Sequence, residues 1–375
     1  MHLQKFHRFV KFAGLCLGLA GRFPLSHYGQ PTVWESIGDP GGNGGVTFTS
    51  IHPATGNIYT SSDMSRSLFR STDRADTWEA IANPVTGTAD YIAGDPKSPG
   101  TLYMSQIGVT AKGSGIWKST DNGDTWVQIH QSTRFGKSNG HSGVVDPNNA
   151  KLLYWTGGDK GVLRSLDGGV TWEDWSKGLP KEKLRYEYAF AHTLELDGNS
   201  PPDQRRLFYP TNLGLYCAAA ADGNWQPMPG LPAGTCSDVE VCAKNTIYAA
   251  FPRVGLFISR DGGKIWQKTP KGLEGKKIVR VVATNDRPDI VYVSTDGDIG
   301  EMGTQAIYGS RDSAISFTLL TDSRFHEGMN WRINYRQEEG VSARELFVDP
   351  KDPLIVYVVR GMKSHDGGTT WNHYG

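Results

Sequence analysis

The chain has 375 residues, with 39 Lys+Arg against 39 Asp+Glu and a formal net charge of zero. That balance supplies no global attraction for nucleic acid or an anionic membrane surface, so neither is expected as a partner. Glycine at 46 residues and tryptophan at 11 are abundant, which suits many tight turns capped by large apolar side chains.

The first 30 residues differ from the rest. Lys5, Arg8 and Lys11 precede the apolar run FAGLCLGLAG (12–21), which ends at the small-residue site Gly18-x-Ala20. This is the pattern of a secretory signal, with a mature start expected between Gly21 and Gln30 and a secreted or periplasmic destination. Cys16 invites a lipoprotein reading, but Leu15 directly before it fits poorly. Ten apolar residues are too few to span a bilayer, so no integral membrane segment is expected in the mature chain.

Residues 31–375 are organised by one recurring segment. STDRADTW from Ser71, STDNGDTW from Ser119, SLDGGVTW from Ser165, SRDGGKIW from Ser259 and SHDGGTTW from Ser364 share the template Ser-x-Asp-x-Gly-x-Thr-Trp. The third-to-fourth and fourth-to-fifth gaps are about twice the others, so each should hide a worn copy. ADGNW, ending at Trp225, places one at Ala218, and SRDSAISF places another at Ser310, with Phe317 for Trp. Seven copies at a mean period of about 49 residues are the signature of propeller blades. The expected fold is therefore all-β, a seven-bladed β-propeller with four antiparallel strands per blade.

In the first unit VTFTSIHP (46–53), GNIYTSSD (56–63), SLFRST (67–72) and WEAI (78–81) read as the four strands, separated by Pro/Gly turns. No window sustains a 3.6-residue apolar period, so little helix is expected. VWESI (33–37) resembles a fourth strand that precedes the first blade, whereas WNHYG (371–375) begins another at the far end; both compete for the outer place in blade seven.

The template reads as a hairpin between strands three and four. A carboxylate such as Asp121 can accept backbone N–H groups two and three residues on, Gly123 supplies a positive φ, and Trp126 covers the turn. The same structural role is expected of Asp73, Asp167, Asp261 and Asp366, and of Trp78, Trp172, Trp266 and Trp371. Turn formation is a far simpler account of these carboxylates than catalysis.

Beyond the leader the cysteines are Cys217, Cys236 and Cys242, which allow one disulfide and leave an odd thiol. No C-x-x-C or H-E-x-x-H pattern occurs, so no metal site and no cofactor are expected.

Strand parity assigns the faces. If the hairpins join strands three and four on one face, the one–two turns share it, and the two–three and inter-blade loops lie opposite. Those loops carry the unusual residues. The two–three loops supply Asp63, Asp159, Asn212, Arg253 and Arg360, and in blade six Asp296, Asp298 and Glu301. The inter-blade loops supply Arg134, His141, Arg185 and Glu187, and the longest (322–345) carries Arg324, His326, Glu327, Trp331, Arg332, Tyr335, Arg336, Glu338 and Glu339. DGDIGE (296–301) alternates carboxylates but lacks the glycine and distal Glu of a calcium loop, so a solvated turn is the expectation. His141 and Arg253 are expected to contact ligand, together with Trp331, Arg332 and Arg360.

The repeat resembles the Asp-box, or BNR repeat, of sialidases, sortilin-type receptors, photosystem II assembly factors and glycoside hydrolase family 74 xyloglucanases. Segment 34–71 is further similar to the opening of family 74: a Trp-bearing strand, a glycine-rich loop, a strand ending in His52-Pro53 and a Tyr-x-x-x-Asp segment, Tyr59 to Asp63. The resemblance implies that Asp63 is a general base. The family's glycine pair after that Asp is replaced here by Met64-Ser65-Arg66, and its general acid belongs to a second propeller. Inversion at a glycosidic carbon needs two carboxyls roughly 6.5–9.5 Å apart, so a partner acid is sought among Glu327, Glu338, Glu339, Asp159 and Asp298. Sialidases are disfavoured because no Arg-Ile-Pro motif occurs, and sortilin-type receptors because they have ten blades.

Two functions remain. The first is an exported hydrolase-like propeller acting on a polysaccharide. The second is a non-catalytic binding or assembly module, whose partner surface would include Arg324, Arg332, Arg336 and Arg344.

Overall fold

A computed structural model describes residues 46–62, 67–84, 87–108, 113–131, 142–156, 161–181, 194–268, 271–298, 305–322, 346–358 and 362–373. The chain divides into Met1–Glu35 and Ser36–Gly375. The expected leader (1–30) and VWESI lie outside the described residues.

Ser36–Gly375 holds seven four-stranded antiparallel sheets, each built from consecutive strands, arranged as a β-propeller. No α-helix occurs among the described residues, and none of their segments is a helix long and apolar enough to cross a membrane. The innermost strands are Val46–Ile51, Gly87–Gly94, Gly143–Asp146, Glu195–Leu196, Asp238–Cys242, Lys276–Ala283 and Leu346–Asp349. In blade seven Asn372–His373 pairs with Met362–Ser364 and takes the outer place. All seven sheets are thus completed by their own contiguous chain.

Burial grades outward along each blade. The second strand of blade five, Thr246–Phe251, is buried at every residue, whereas outer strands such as Glu173–Asp174 are exposed. A strand covered on both faces reads as a continuous apolar run rather than an alternation. The cores lie between blades: Ala93, Tyr103 and Ile116 of blade two pack with Val145, Leu153 and Trp155 of blade three.

Strand register confirms the spacing of the repeats. Ile58, Leu102, Leu153, Leu207, Ile247, Val291 and Val356 pair with Ser71, Ser119, Ser165, Ala218, Ser259, Ser310 and Ser364. The worn copies at Ala218 and Ser310 therefore occupy the same register as the intact ones.

The hairpin is tied differently from the simple Asx turn expected. Ser119 Oγ donates to Asp121 Oδ1 at 2.8 Å and accepts the Gly123 N–H at 2.8 Å. Asp121 accepts the N–H of Thr125, four residues on, at 2.8 Å, and the Thr125 hydroxyl at 2.5 Å. A two-residue left-handed turn is what lengthens the loop, with Asn122 at φ 65° and Gly123 at φ 97°. The tryptophans Trp78, Trp126, Trp172, Trp266 and Trp371 are half-buried covers; fully buried indoles belong to Trp155 and Trp225. In the fourth copy Ala220 stands at the Asp position, and Trp225 Nε1 donates to the Trp175 carbonyl at 2.7 Å.

One repeating residue escaped the motif reading. The position after each register-pairing residue is Tyr59, Tyr103, Tyr154, Phe208, Tyr248, Tyr292 and Tyr357, all buried. Several reach forward to the next blade. Tyr154 donates to the Ala220 carbonyl at 2.9 Å, Tyr248 to Pro288 at 2.6 Å and Tyr292 to Pro353 at 2.8 Å. Blade seven meets blade one through Lys363, which donates to Asp76 and to the Arg74 carbonyl, and through the Arg74–Asp349 ion pair at 3.2 Å. Ile58 and Ala75 pack there against Ile355 and Tyr357.

Among the described residues the cysteines form no disulfide. Cys236 and Cys242 are buried in different inter-blade cores, and Cys217 is half-buried.

Candidate functional site

The two faces of the ring are identified by their own hydrogen bonds. The Gly168, Gly262 and Gly367 N–H groups of the hairpins donate to the carbonyls of Lys151, Asn245 and Leu354, which lie in the one–two connection or in the first residues of the second strand of their own blades. Hairpins and one–two turns therefore share one face. The second strand of blade one starts on that face, with Ile58 opposite Ser71, and its last residue, Ser62, lies toward the other.

Asp63 follows Ser62 directly and lies outside the described residues, as do Asp159, His141, Glu327, Trp331, Arg332, Glu338, Glu339 and Arg360. Two of the expected site residues are described. Arg253 is exposed in the turn that closes on the Phe251 carbonyl. Asp298 ends the strand Val291–Asp298, where its backbone pairs with Lys276.

That strand corrects the first part of the loop expected at 296–301, of which 299–301 lie outside the described residues. Asp296 is a buried strand residue paired with the Lys277 ammonium at 2.8 Å, rather than part of a solvated turn. The ladder to Gln305 outweighs the turn preference of Asp and Gly because both neighbouring strands supply partners for the backbone.

The second strands become polar as they approach the loop face. Ser61, Ser105, Gln106, Thr156, Thr211, Ser294 and Thr295 are all buried there. Gln106 Nε2 donates to Asn83 at 2.7 Å, and Thr156 Oγ1 accepts the Ser142 N–H at 2.7 Å. Ser105 and Ser294 have no hydroxyl partner among the described residues. Buried polar groups normally find partners, so this layer suits a face whose upper surface is hydrogen-bonding in character.

The opposite face carries a motif that sequence inspection passed over. Asp95, Asp146 and Asp349 each precede proline and accept the N–H two residues on at 2.8 Å. In blade one His52 takes that place before Pro53, with Nδ1 accepting the Ala54 N–H at 3.1 Å. Its ring lies where a side chain on Gly94 would stand, and burial holds its pKa below the ordinary histidine value. His52, prominent in the sequence, is thus a turn former.

Inside the ring the innermost strands enclose a cavity of about 410 Å³. Its walls are Ile51, Ile92, Val144 and Leu196, with Pro53, Pro96 and Pro147 at the hairpin end. Tyr91, Glu195 and Glu240 reach it from blades two, four and five. Arg280 of blade six stands beside them, pairing with Asp238 at 3.4 Å and donating from Nε to the Leu346 carbonyl at 3.1 Å. Asp238 also accepts the Val281 N–H at 2.9 Å.

Protein surrounds this cluster, while its tips stay in contact with the channel. Burial, then the charge of Asp238, pushes Glu195 up to about 8 against the pull of Arg280. Burial, then the neighbouring Glu195 and Asp238, raises Glu240 well above the carboxylate range. Arg280 is raised despite burial because Asp238, Glu240 and Glu195 surround it. None of these residues was singled out from the sequence. Strand alternation in a channel wall looks like any half-buried strand, so only the ring reveals the cluster. No group of three or more His, Cys, Asp or Glu side chains poised for a metal occurs among the described residues.

No family model matches the chain. Among curated proteins it is similar to xyloglucanase Xgh74A of Acetivibrio thermocellus, 24% identical over 272 residues, 63% of this chain and 32% of that protein. It is also similar to the oligoxyloglucan-reducing end-specific xyloglucanase of Emericella nidulans, 22% identical over 88% of this chain and 40% of that protein. The chain thus spans less than half the length of these relatives. The solved glycoside hydrolase family 74 xyloglucanase of Xanthomonas campestris superposes with a TM-score of 0.67 at 20% identity, covering 88% of this chain and 53% of that one. YCF48 bound to D1 peptide superposes with a TM-score of 0.55 at 11% identity, covering 86% of this chain and 91% of that one. This chain is thus a seven-bladed propeller similar in sequence and in fold to xyloglucanases.

Proposed function

We propose that this chain is an exported, carbohydrate-active propeller that acts on a xyloglucan-type polysaccharide at its loop face. The observation that carries the reading is the similarity to xyloglucanases, which extends over 88% of the chain in the Emericella protein. The basic-then-apolar leader at 5–21 supports export, and the polar ends of the second strands support a hydrogen-bonding face. Asp63 is the proposed general base, activating water for attack at the anomeric carbon. Its partner acid is one of Glu327, Glu338, Glu339, Asp159 and Asp298, and the sugar is held by His141, Arg253, Trp331, Arg332 and Arg360. Aromatic and guanidinium planes suit sugar rings and hydroxyls.

The test is hydrolysis of purified xyloglucan by the wild type and by Asp63→Ala, followed by reducing-end release. Loss of a general base should cost about 10²–10⁴-fold in rate. Equal rates in the two proteins would remove Asp63 from the mechanism. A second reading, a non-catalytic binding module, draws on the YCF48 superposition, which nearly exhausts both chains. Retained polysaccharide binding with no cleavage by the wild type would favour it.

A further inference from the structure

The cavity inside the ring gathers more carboxyls than cations. Three carboxyls, Glu195, Asp238 and Glu240, gather around one cation, Arg280. That cation is engaged by one of the three and by the backbone: its Nη1 meets Asp238 and its Nε meets the Leu346 carbonyl. The Arg280 ion pair is made with Asp238 rather than with Glu195 or Glu240. Both carboxyls border a space of about 410 Å³, within the range of small-molecule sites.

We propose that this cavity binds a small organic monocation, a primary or secondary ammonium on a compact apolar body, with Glu195 as its counter-charge and Glu240 beside it as a hydrogen-bond partner. The apolar wall of Ile51, Ile92, Val144 and Leu196 fits the body of such a ligand, and the carboxyl pair fits its head. An anion would face two carboxyls, and a neutral ligand would gain nothing from the ionisation of Glu195. The site lies toward the hairpin face, so it stands independently of the xyloglucan reading.

Among the described residues, the titratable groups that act on the pair include Tyr91 from blade two, Asp238 and Cys242 from blade five and Arg280 from blade six. Glu195 and Glu240 are both raised, so the empty site holds a proton on each at neutral pH, and an arriving cation displaces the one on Glu195.

Benzylammonium is the probe, and benzyl alcohol its uncharged counterpart, in calorimetric titrations of the full chain. Expected results are binding of the ammonium alone, tightening roughly tenfold or more between pH 6.5 and 8 as the carboxyl ionises. Titrations in phosphate and in Tris should differ in heat, because about one proton is released on binding. Glu195→Gln should weaken binding at least tenfold. Should that variant not fold, the two-buffer experiment on the wild type decides by itself. Equal binding of the alcohol, no proton release, or no binding of the ammonium at pH 8 would each overturn the proposal.

Discussion

The Tyr292 hydroxyl of blade six donates to the Pro353 carbonyl of blade seven at 2.8 Å. It repeats the contact of Tyr154 with Ala220 and of Tyr248 with Pro288, so the ring is laced by one kind of bond from a buried phenol. Tyr292→Phe keeps the ring and removes only the donor. It should destabilise the protein by about 1 kcal/mol, the usual net value of such a bond. Urea unfolding checks this, and an unchanged midpoint would count against the lacing.

Gly123 stands at φ +97°, and a Cβ there would meet Ile81 Cδ1 of the preceding blade at 2.8 Å. Gly56 has a similar φ of +79° with nothing within 4 Å. Both alanine variants therefore carry a backbone penalty, about 1 kcal/mol. Gly123→Ala also pushes the tip of the Ile81 side chain aside and should be the worse by about 0.5–1 kcal/mol, the cost of moving that side chain off its rotamer. Comparable melting temperatures for the two would show that the hairpin does not press on its neighbour.

Asp146 and Arg205 form a buried ion pair between blades three and four, 3% and 1% exposed at the side chain. Asp146→Asn keeps the acceptor for the Asn148 N–H but strands the guanidinium, at a cost of about 3–5 kcal/mol. Asp289→Asn disrupts the exposed pair with Arg287 and should cost under about 1 kcal/mol. Chemical denaturation of both variants tests the contrast.

The hairpin carboxylates govern acid stability. The Thr125 hydroxyl and N–H, then Ser119, hold Asp121 down to about 2, and Thr171 does the same for Asp167. Folded values below the unfolded value of about 3.9 mean stability that is present above pH 4 and lost as pH falls toward 2. Asp121→Asn should therefore be less stable than wild type at pH 6, with the gap closing near pH 2. A gap that stays constant across this range would contradict the assignment.

Glu195 has the opposite sign. Its folded value, about 8, lies above the unfolded carboxylate value, so its contribution is fully present below about pH 4.3 and is lost as pH rises through 8. Glu195→Gln should raise the melting temperature at pH 8.5 and leave it nearly unchanged at pH 4. Arg280 keeps its Asp238 partner in that variant. A lower melting temperature at pH 8.5 would show that Glu195 supports the fold as an anion.

The blade count and strand order were legible because the hairpin motif is local: serine, aspartate and threonine bond within seven residues and announce themselves at each repeat. Even the worn copies at Ala218 and Ser310 were locatable, since spacing outlasts side-chain identity. The inter-blade tyrosines were present in every unit but one, yet their partners lie 40 to 66 residues away, so their role was hidden. Asp296 was misread for a related reason: a Gly/Asp-rich run looks like a turn until flanking strands bond it.

Periodic, short-range hydrogen bonding thus determined the architecture from the amino-acid order alone. Only closure of the ring decided what occupies its centre. Tyr91, Glu195, Glu240 and Arg280 come from four different blades, and no spacing along the chain marks them. Their proximity, and the displaced ionisation of the two glutamates, arise because inner strands distant in sequence must face one another around a single channel.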